Sequence, residues 1–584
     1  MSVFTFEKSS FLGNVVSVDT SKIWLSVDSE KMRHARVGRL VALKAPGLEN
    51  WLIAIVERIV KTSFETEIEE DDPDIKENLT ETEFASNADD FISEDNKVKI
   101  ALLGAVRTEP GDKISSFSRS IIFFPDIESE CYALEGKNLE NLMRIISKGA
   151  KGEHALDIGT YTLGENARAY LDGNKFFQRH AALLGSTGSG KSWTVATILE
   201  KAAKLPTANI VLFDLHGEYK NLEYATQLRV AGPDDLNSKE TGVLYLPYWL
   251  LNSEEMQSFF VDRSEFSAHN QVMVFQDEVV KNKKALLREP KKNEVLNSFT
   301  VNSPVPFSLD EVTVEIKRLN EEMVQGARGL KQGRFFGQFS RFIARLESKS
   351  NDKRYGFLFQ APEKLHDYKA LYDIADMLMG FKGDKKQIKV IDFSEVPSDV
   401  LPIIVGLVAR IIFQIQFWTE NEKRQPIALV CDEAHLYLPK KGDSNPIEKR
   451  AVEDFEKIAK EGRKYGVGLL VISQRPSDVS PTILSQCNNF IALRLTSAQD
   501  QTVVKDLMTD SLESFMEILP VLDIGEALIV GDAVLLPTRV KMDKPSEGNR
   551  PLSATIDFWD EWSEKEKETD LIKAVENMRK QSRR

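Results

Sequence analysis

Three cysteines in 584 residues supply neither a disulfide framework nor a metal cluster, because Cys131, Cys431 and Cys487 lie far apart with no ligand spacing among them. Long apolar runs are missing as well. No stretch approaches the ~20 residues that a helix needs to cross a bilayer. The longest candidate, residues 401–418, contains Arg410 and two glutamines and predicts a buried helix instead. The opening MSVFTFEKSS lacks the basic-then-apolar pattern of a signal peptide. No internal repeat is found, so no repeat architecture is expected. These absences argue against a secreted, disulfide-stapled or membrane-spanning protein and predict a cytoplasmic one.

An excess of positive charge is lacking too, and a net charge of −14 looks unfavourable for a nucleic-acid partner. Its location removes that objection. Residues 64–95 hold 14 acids and one base, Lys76, so this segment contributes −13 and the rest of the chain about −1. Such an acidic stretch predicts a solvated loop.

What is present suggests about three domains, since the chain is too long for one core. Residues 1–140 read as six short strands: FLGNVVSVDT, KIWLSVD, RLVALK, WLIAIVERIV, KVKIALLGAVRT and IIFFPD. They predict a small closed β-barrel with the acidic loop between its fourth and fifth strands. From residue 180 the pattern becomes α/β. Apolar strands AALL, NIVLFDLHG, QIKVIDFSEV, PIALVCDEAH, GVGLLVISQ and NFIALRL predict a doubly wound parallel sheet, with GEALIVGDAVLLPTRVKM as a closing antiparallel hairpin. Residues 141–224 and 387–545 are assigned to this core, and residues 225–386 to a large helical insertion with basic sections at 281–293 and 328–346. Residues 546–584 read as a brace, with Phe558, Trp559 and Trp562 as anchors before an amphipathic helix.

The chemistry concentrates around one octapeptide. Gly185, Ser186, Thr187, Gly188, Ser189, Gly190, Lys191 and Ser192 form a complete phosphate loop directly after AALL, where a strand turns into a helix. The glycines let backbone N–H groups converge on a phosphate chain, and the helix offers its positive end to the same anion. Lys191 is expected to reach the β- and γ-phosphates of ATP, and the Ser192 hydroxyl to ligate Mg²⁺. ALVCDEAH supplies the remaining requirements: Asp432 to hold Mg²⁺ and Glu433 to polarise the attacking water. Gln474, at the end of the next strand, is placed to sense the γ-phosphate. In FDLHGEY, Asp214, His216 and Glu218 stand at a carboxyl strand end where ligands gather, and Asp214 is the one expected to touch nucleotide or metal, with His216 a structural residue. Balancing charge on the γ-phosphate needs a further cation; Arg179, Arg463 and Lys464 are the candidates.

RHAALLGSTGSGKS, VLFDLHGEY, ALVCDEAH and EGRKYGVGLLVISQRP, together with the β-rich N-terminus, resemble the HerA family of hexameric ATPases within the FtsK/HerA group. The resemblance implies a RecA-like core, an N-terminal barrel and a helical insertion assembled as a homohexameric ring around double-stranded DNA. It further implies Arg179 and Arg463 as cations reaching a neighbouring subunit's nucleotide. The barrel would then dock a partner, a NurA-like nuclease or, as in anti-phage systems, a sirtuin-like effector. The competing reading is a nucleotide-switched scaffold that assembles such an effector without processive movement. For the motor, basic residues within 281–292 and 328–345 are the expected contacts to DNA phosphates. A peptide-remodelling ATPase is the third and weakest option.

Overall fold

The structure, a computed structural model, describes residues 3–19, 23–44, 50–65, 92–108, 115–121, 123–150, 154–162, 167–236, 240–288, 293–327, 329–380, 386–440, 446–507, 516–552, 558–563 and 571–580. Two compact units emerge, residues 1–176 with 489–543 and residues 177–488 with 544–584.

In the first unit, β1 (Phe11–Val18), β2 (Ile23–Ser26), β3 (Leu40–Lys44), β4 (Trp51–Glu65), β5 (Ile92–Thr108), β6 (Ser115–Ser118) and β7 (Glu130–Ala133) form one antiparallel sheet. Its order is β2-β1-β7-β3-β4-β5-β6, and a β2–β5 pairing closes six of the strands into a barrel. Alternate residues, among them Val41, Leu43, Leu52, Ala54, Val56, Val98 and Ile100, fill the interior. The expected sixth strand IIFFPD is not one: its described residues are coil, and β7 (ECYA) takes the place. The reason is periodicity. ECYA alternates exposed and buried, whereas IIFFPD is a continuous apolar run ending in a proline that cannot donate to a ladder. Most of the acidic segment, residues 66–91, lies outside the described residues; its two ends run into β4 and β5. The same unit contains β8 (Ala155–Tyr161) and β9 (Arg168–Asp172), described further below.

The second unit is built on a parallel sheet of β10 (Ala181–Leu184), β11 (Ile210–Asp214), β12 (Ala225–Val230), β13 (Val243–Leu244), β16 (Ile388–Asp392), β17 (Ile427–Cys431) and β18 (Val467–Ser473), with a separate antiparallel ribbon β14 (Met323–Gly326) and β15 (Gly329–Gln332). The parallel order is β13-β12-β16-β11-β17-β18-β10. Every residue of β10, β11, β16, β17 and β18 is buried, as expected of strands covered on both faces. Helices Lys191–Ala202, Leu401–Trp418 and Pro446–Glu461 make the crossovers. Gly406 sits where the last two approach: a Cβ there would lie 3.2 Å from the Ala451 backbone. Leu401–Trp418 is long and apolar enough to cross a membrane, yet most of it is buried and Arg410 on it pairs with Glu255. It is the buried core helix that Arg410 and its glutamines predict.

One expectation needs correction here. Residues 225–230 and 243–244 were expected in the helical section but supply strands of the parallel sheet, disguised because Gln227 and Arg229 interrupt the apolar pattern. β19 (Asn489–Ala492), within NFIALRL, pairs antiparallel with β20 (Glu526–Gly531), the first strand of the closing hairpin, in the first unit. There the order is β19-β20-β21-β8-β9, with β21 being Thr538–Met542.

Candidate nucleotide site

The phosphate loop joins β10 to the helix Lys191–Ala202. Gly190, at the N-cap, has φ 103° and Gly188 φ 72°, backbone that side-chain-bearing residues rarely adopt. Lys191 is buried, and its Nζ donates to the Ser186 carbonyl at 3.3 Å. Burial depresses its pKa, against the opposing pull of Glu433, Asp432 and Glu218. One ammonium therefore faces three carboxylates. Thr187 Oγ1 donates to Gln474 Oε1 at 2.5 Å, so the Gln474 amide touches the loop directly.

Asp432 and Glu433 follow β17. Burial pushes the Asp432 carboxyl well up, and Glu433, Glu218 and Asp214 push it further. Glu433 has φ 44° and ψ 44°, a left-handed conformation unusual for a non-glycine residue. Such local strain, of order 1 kcal/mol or more, persists where the surroundings enforce it, often at functional sites. Its pKa is also raised by burial, with Lys191 and His216 pulling it back. Its Oε2 is buried with no hydrogen-bond partner among the described residues, and lies 3.3 Å from His435 Nδ1. A basic, under-solvated carboxylate oxygen is what activation of a water requires.

The acids of the FDLHGEY loop have different partners. Asp214 is fully buried, and its two oxygens accept the backbone N–H groups of His216, Gly217, Glu218 and Tyr219 at 2.8–3.2 Å. It shapes the loop and adds its charge to that around Asp432. Glu218 is the acid that reaches the site: Ser192 Oγ donates to its Oε2 at 2.9 Å. The sequence signal was the four-residue separation, which turns Glu218 back toward the phosphate-loop helix. A segment from the chain's end also docks here. Leu552 N donates to Glu218 O at 2.7 Å, and the Arg550 guanidinium lies 5.6 Å from the Trp193 ring centroid. By contrast, Phe558, Trp559 and Trp562, expected as anchors, are 61–83% exposed.

No group of three or more metal-ligating side chains meets metal-site geometry among the described residues. Ser192, Asp432 and Glu218 nonetheless fit Mg²⁺ by chemistry, being hard oxygen donors in a pocket whose carboxylates lack full compensation. His435, 3.3 Å from Glu433, is the site neighbour that sequence reasoning passed over, whereas Glu218 was weighed there beside Asp214.

Arg179 and Arg463 are elsewhere. Arg179 precedes β10 and Arg463 lies in the 3-10 turn Gly462–Tyr465 before β18, whereas the phosphate loop and Gln474 follow those same strands. With ~3.3 Å per residue, four residues of β10 and seven of β18 separate each arginine from its own nucleotide edge by roughly 13 and 23 Å. Between them His180, buried with φ 52°, accepts Leu469 N–H on Nδ1 and has Nε2 3.0 Å from Ala459 O.

The family model described as "Helicase HerA, central domain" matches residues 156–412, and the "Helicase HerA-like C-terminal" model matches residues 409–542. The chain belongs to the HerA family. The DNA double-strand break repair helicase HerA of Pyrococcus furiosus is 28% identical over 425 residues, 67% of this chain and 70% of the relative. That of Sulfolobus acidocaldarius is 28% identical over 391 residues, 65% and 68% respectively. The solved structure of VirB4 of Thermoanaerobacter pseudethanolicus overlaps 68% of this chain and 98% of its own, at 16% identity and TM-score 0.47. This HerA-family chain is thus a P-loop ATPase whose site is assembled on the carboxyl edge of a parallel sheet.

Proposed function

We propose that the chain is an ATP-hydrolysing ring motor acting on double-stranded DNA. The carrying observation is the opposition of buried Lys191 to Asp432 and Glu433 at one strand edge, with Arg179 and Arg463 held at the other. Lys191 and the loop N–H groups bind the phosphates. Ser192 and Asp432, with Glu218 beside them, hold Mg²⁺, which when bound neutralises charge on the β- and γ-phosphates. Glu433 accepts a proton from the attacking water. Gln474, bonded to Thr187, registers whether the γ-phosphate is present.

Arg179 and Arg463 stand too far from their own nucleotide to act on it, so the reading assigns them to a neighbour's site. A closed ring, six-membered in the family this chain resembles, satisfies every site in turn. Docking of a NurA-like nuclease or another effector is assigned to the N-terminal barrel. Residues 1–155 lie outside both matched family segments, so partner choice can vary there.

The test is ATP turnover with and without duplex DNA across a salt series. Stimulation that fades as salt rises is expected, because phosphate contacts release counterions. Turnover indifferent to duplex DNA of every length sinks the motor reading.

A further inference from the structure

Both basic sections of the chain are candidate DNA contacts, and in each the structure divides cations committed to the fold from exposed ones. In the first, Lys283 is buried and donates to the Val301 and Ser303 carbonyls at 2.8 Å, while Lys281 pairs with Glu278. Those two ammonium groups are committed to the fold, while Lys284 and Arg288 of the same section are exposed and make no ion pair among the described residues. In the second, Arg345 is committed as well, to Glu265 and the Phe260 carbonyl. Lys331, Arg334 and Arg341 are different: all three are exposed, and none makes an ion pair among the described residues.

The ribbon β14–β15 carries or adjoins the first two. Its four pairs run from Met323↔Gln332 to Gly326↔Gly329, and no residue of either strand is buried. A lone two-stranded ribbon is marginal in water, and this one leaves six of its eight strand residues exposed, a surface suited to being covered. Charge indicates by what. Residues 323–346 contain five arginines and lysines and no acid, in a chain with 90 acids. Met323, Leu330 and Phe336 are 46, 69 and 38% exposed beside the cations, a pairing that suits phosphates flanked by sugar and base edges.

We propose that the ribbon Met323–Gln332, with Lys331 and the adjoining Arg334, is the surface that grips the phosphate backbone of duplex DNA. The assignment rests on the motor reading above. A polyanion supplies what the ribbon lacks, acceptors for several cations at once, and recognition through phosphates carries no base preference. That is what movement along arbitrary sequence requires.

The test uses the full-length chain carrying Lys331→Glu and Arg334→Glu together, with Lys364→Glu and Lys369→Glu as a charge-matched control on another exposed segment. Binding of a fluorescent duplex is measured by anisotropy at several salt concentrations, beside basal and DNA-stimulated ATP turnover. Expected are at least about a tenfold loss of affinity, a slope of log affinity against log salt shallower by about 2 per engaged chain, lost DNA stimulation, and basal turnover within twofold of the parent. The control should behave as the parent. A parent that binds duplex DNA beside a double variant that binds it equally, with the same slope, overturns the ribbon assignment alone. A parent that binds no duplex DNA overturns the motor reading and this assignment with it. If the double variant instead changes particle size at unchanged DNA affinity, the ribbon is a contact between copies and the assignment is wrong.

Discussion

At the carboxyl edge of the parallel sheet, Lys191 faces Glu218, Asp432 and Glu433; at the amino edge of the same strands, Arg179 and Arg463 flank a buried histidine. The first edge has the parts for binding ATP and activating water but an excess of negative charge. The second has cations with no phosphate of their own within reach. Neither is a complete hydrolytic site. The difference teaches that short parallel strands can present two half-sites some 13–23 Å apart, which a repeated copy would join. On the proposed ring reading, catalysis then depends on assembly.

The sharpest way to break this comparison is at the carboxyl edge. Glu433→Gln should lower kcat by about 10³-fold while nucleotide still binds, because a positioned general base is worth roughly 10²–10⁴. Fluorescent nucleotide binding beside phosphate release checks it, and turnover at the parent rate removes Glu433 from its role. At the amino edge, Arg179→Ala and Arg463→Ala should each cost about 10²-fold, two cations sharing the developing charge. Mixing either arginine variant with Lys191→Ala chains should recover part of the turnover, since some interfaces then carry an intact lysine and an intact arginine. No recovery at any ratio would falsify action across subunits.

A smaller effect separates two acids of one loop. Asp214→Asn removes charge from a carboxylate that holds four backbone N–H groups and should cost about 2 kcal/mol of stability, read as a lower urea midpoint at unchanged slope. Glu218→Gln should leave that midpoint nearly in place and raise the Mg²⁺ concentration needed for half-maximal turnover. If the two variants exchange these phenotypes, the assignment of Glu218 to the site is reversed.

Much of this was legible in the sequence, and the boundary is physical. The phosphate loop, Asp432, Glu433 and Gln474 are local: a short motif at a strand end fixes where its side chains stand. The barrel's closure was legible from strand count, yet IIFFPD was mistaken for a strand because apolarity outweighed its lack of alternation. That Asp214 holds four backbone N–H groups while Glu218 bonds Ser192 was not legible, because which acid of a loop caps its backbone depends on turn geometry. The neutral pair of contacts made by His180 was invisible, since its partners Ala459 and Leu469 lie 279 and 289 residues away.

His180 gives the last and smallest test, and it bears on how the amino edge is held. Nδ1 accepts a backbone N–H and Nε2 must donate to the Ala459 carbonyl, so the ring is a neutral strut. Burial, reinforced by Arg463, lowers its pKa from 6.5 to about 4. Between those values the unfolded chain binds a proton that the folded chain refuses. The stabilisation from the neutral ring is therefore fully present above pH 6.5 and is lost as pH falls toward 4, roughly 3 kcal/mol in all. His180→Gln, which lacks a titrating group, should flatten that part of the stability–pH curve in urea unfolding. Because the strut directly precedes the strand that follows Arg179, the same variant should lower kcat more than it raises KM for ATP. A curve as steep as the parent's between pH 6.5 and 4 would mean that other groups govern acid sensitivity there and that the arginine edge is not held by this ring.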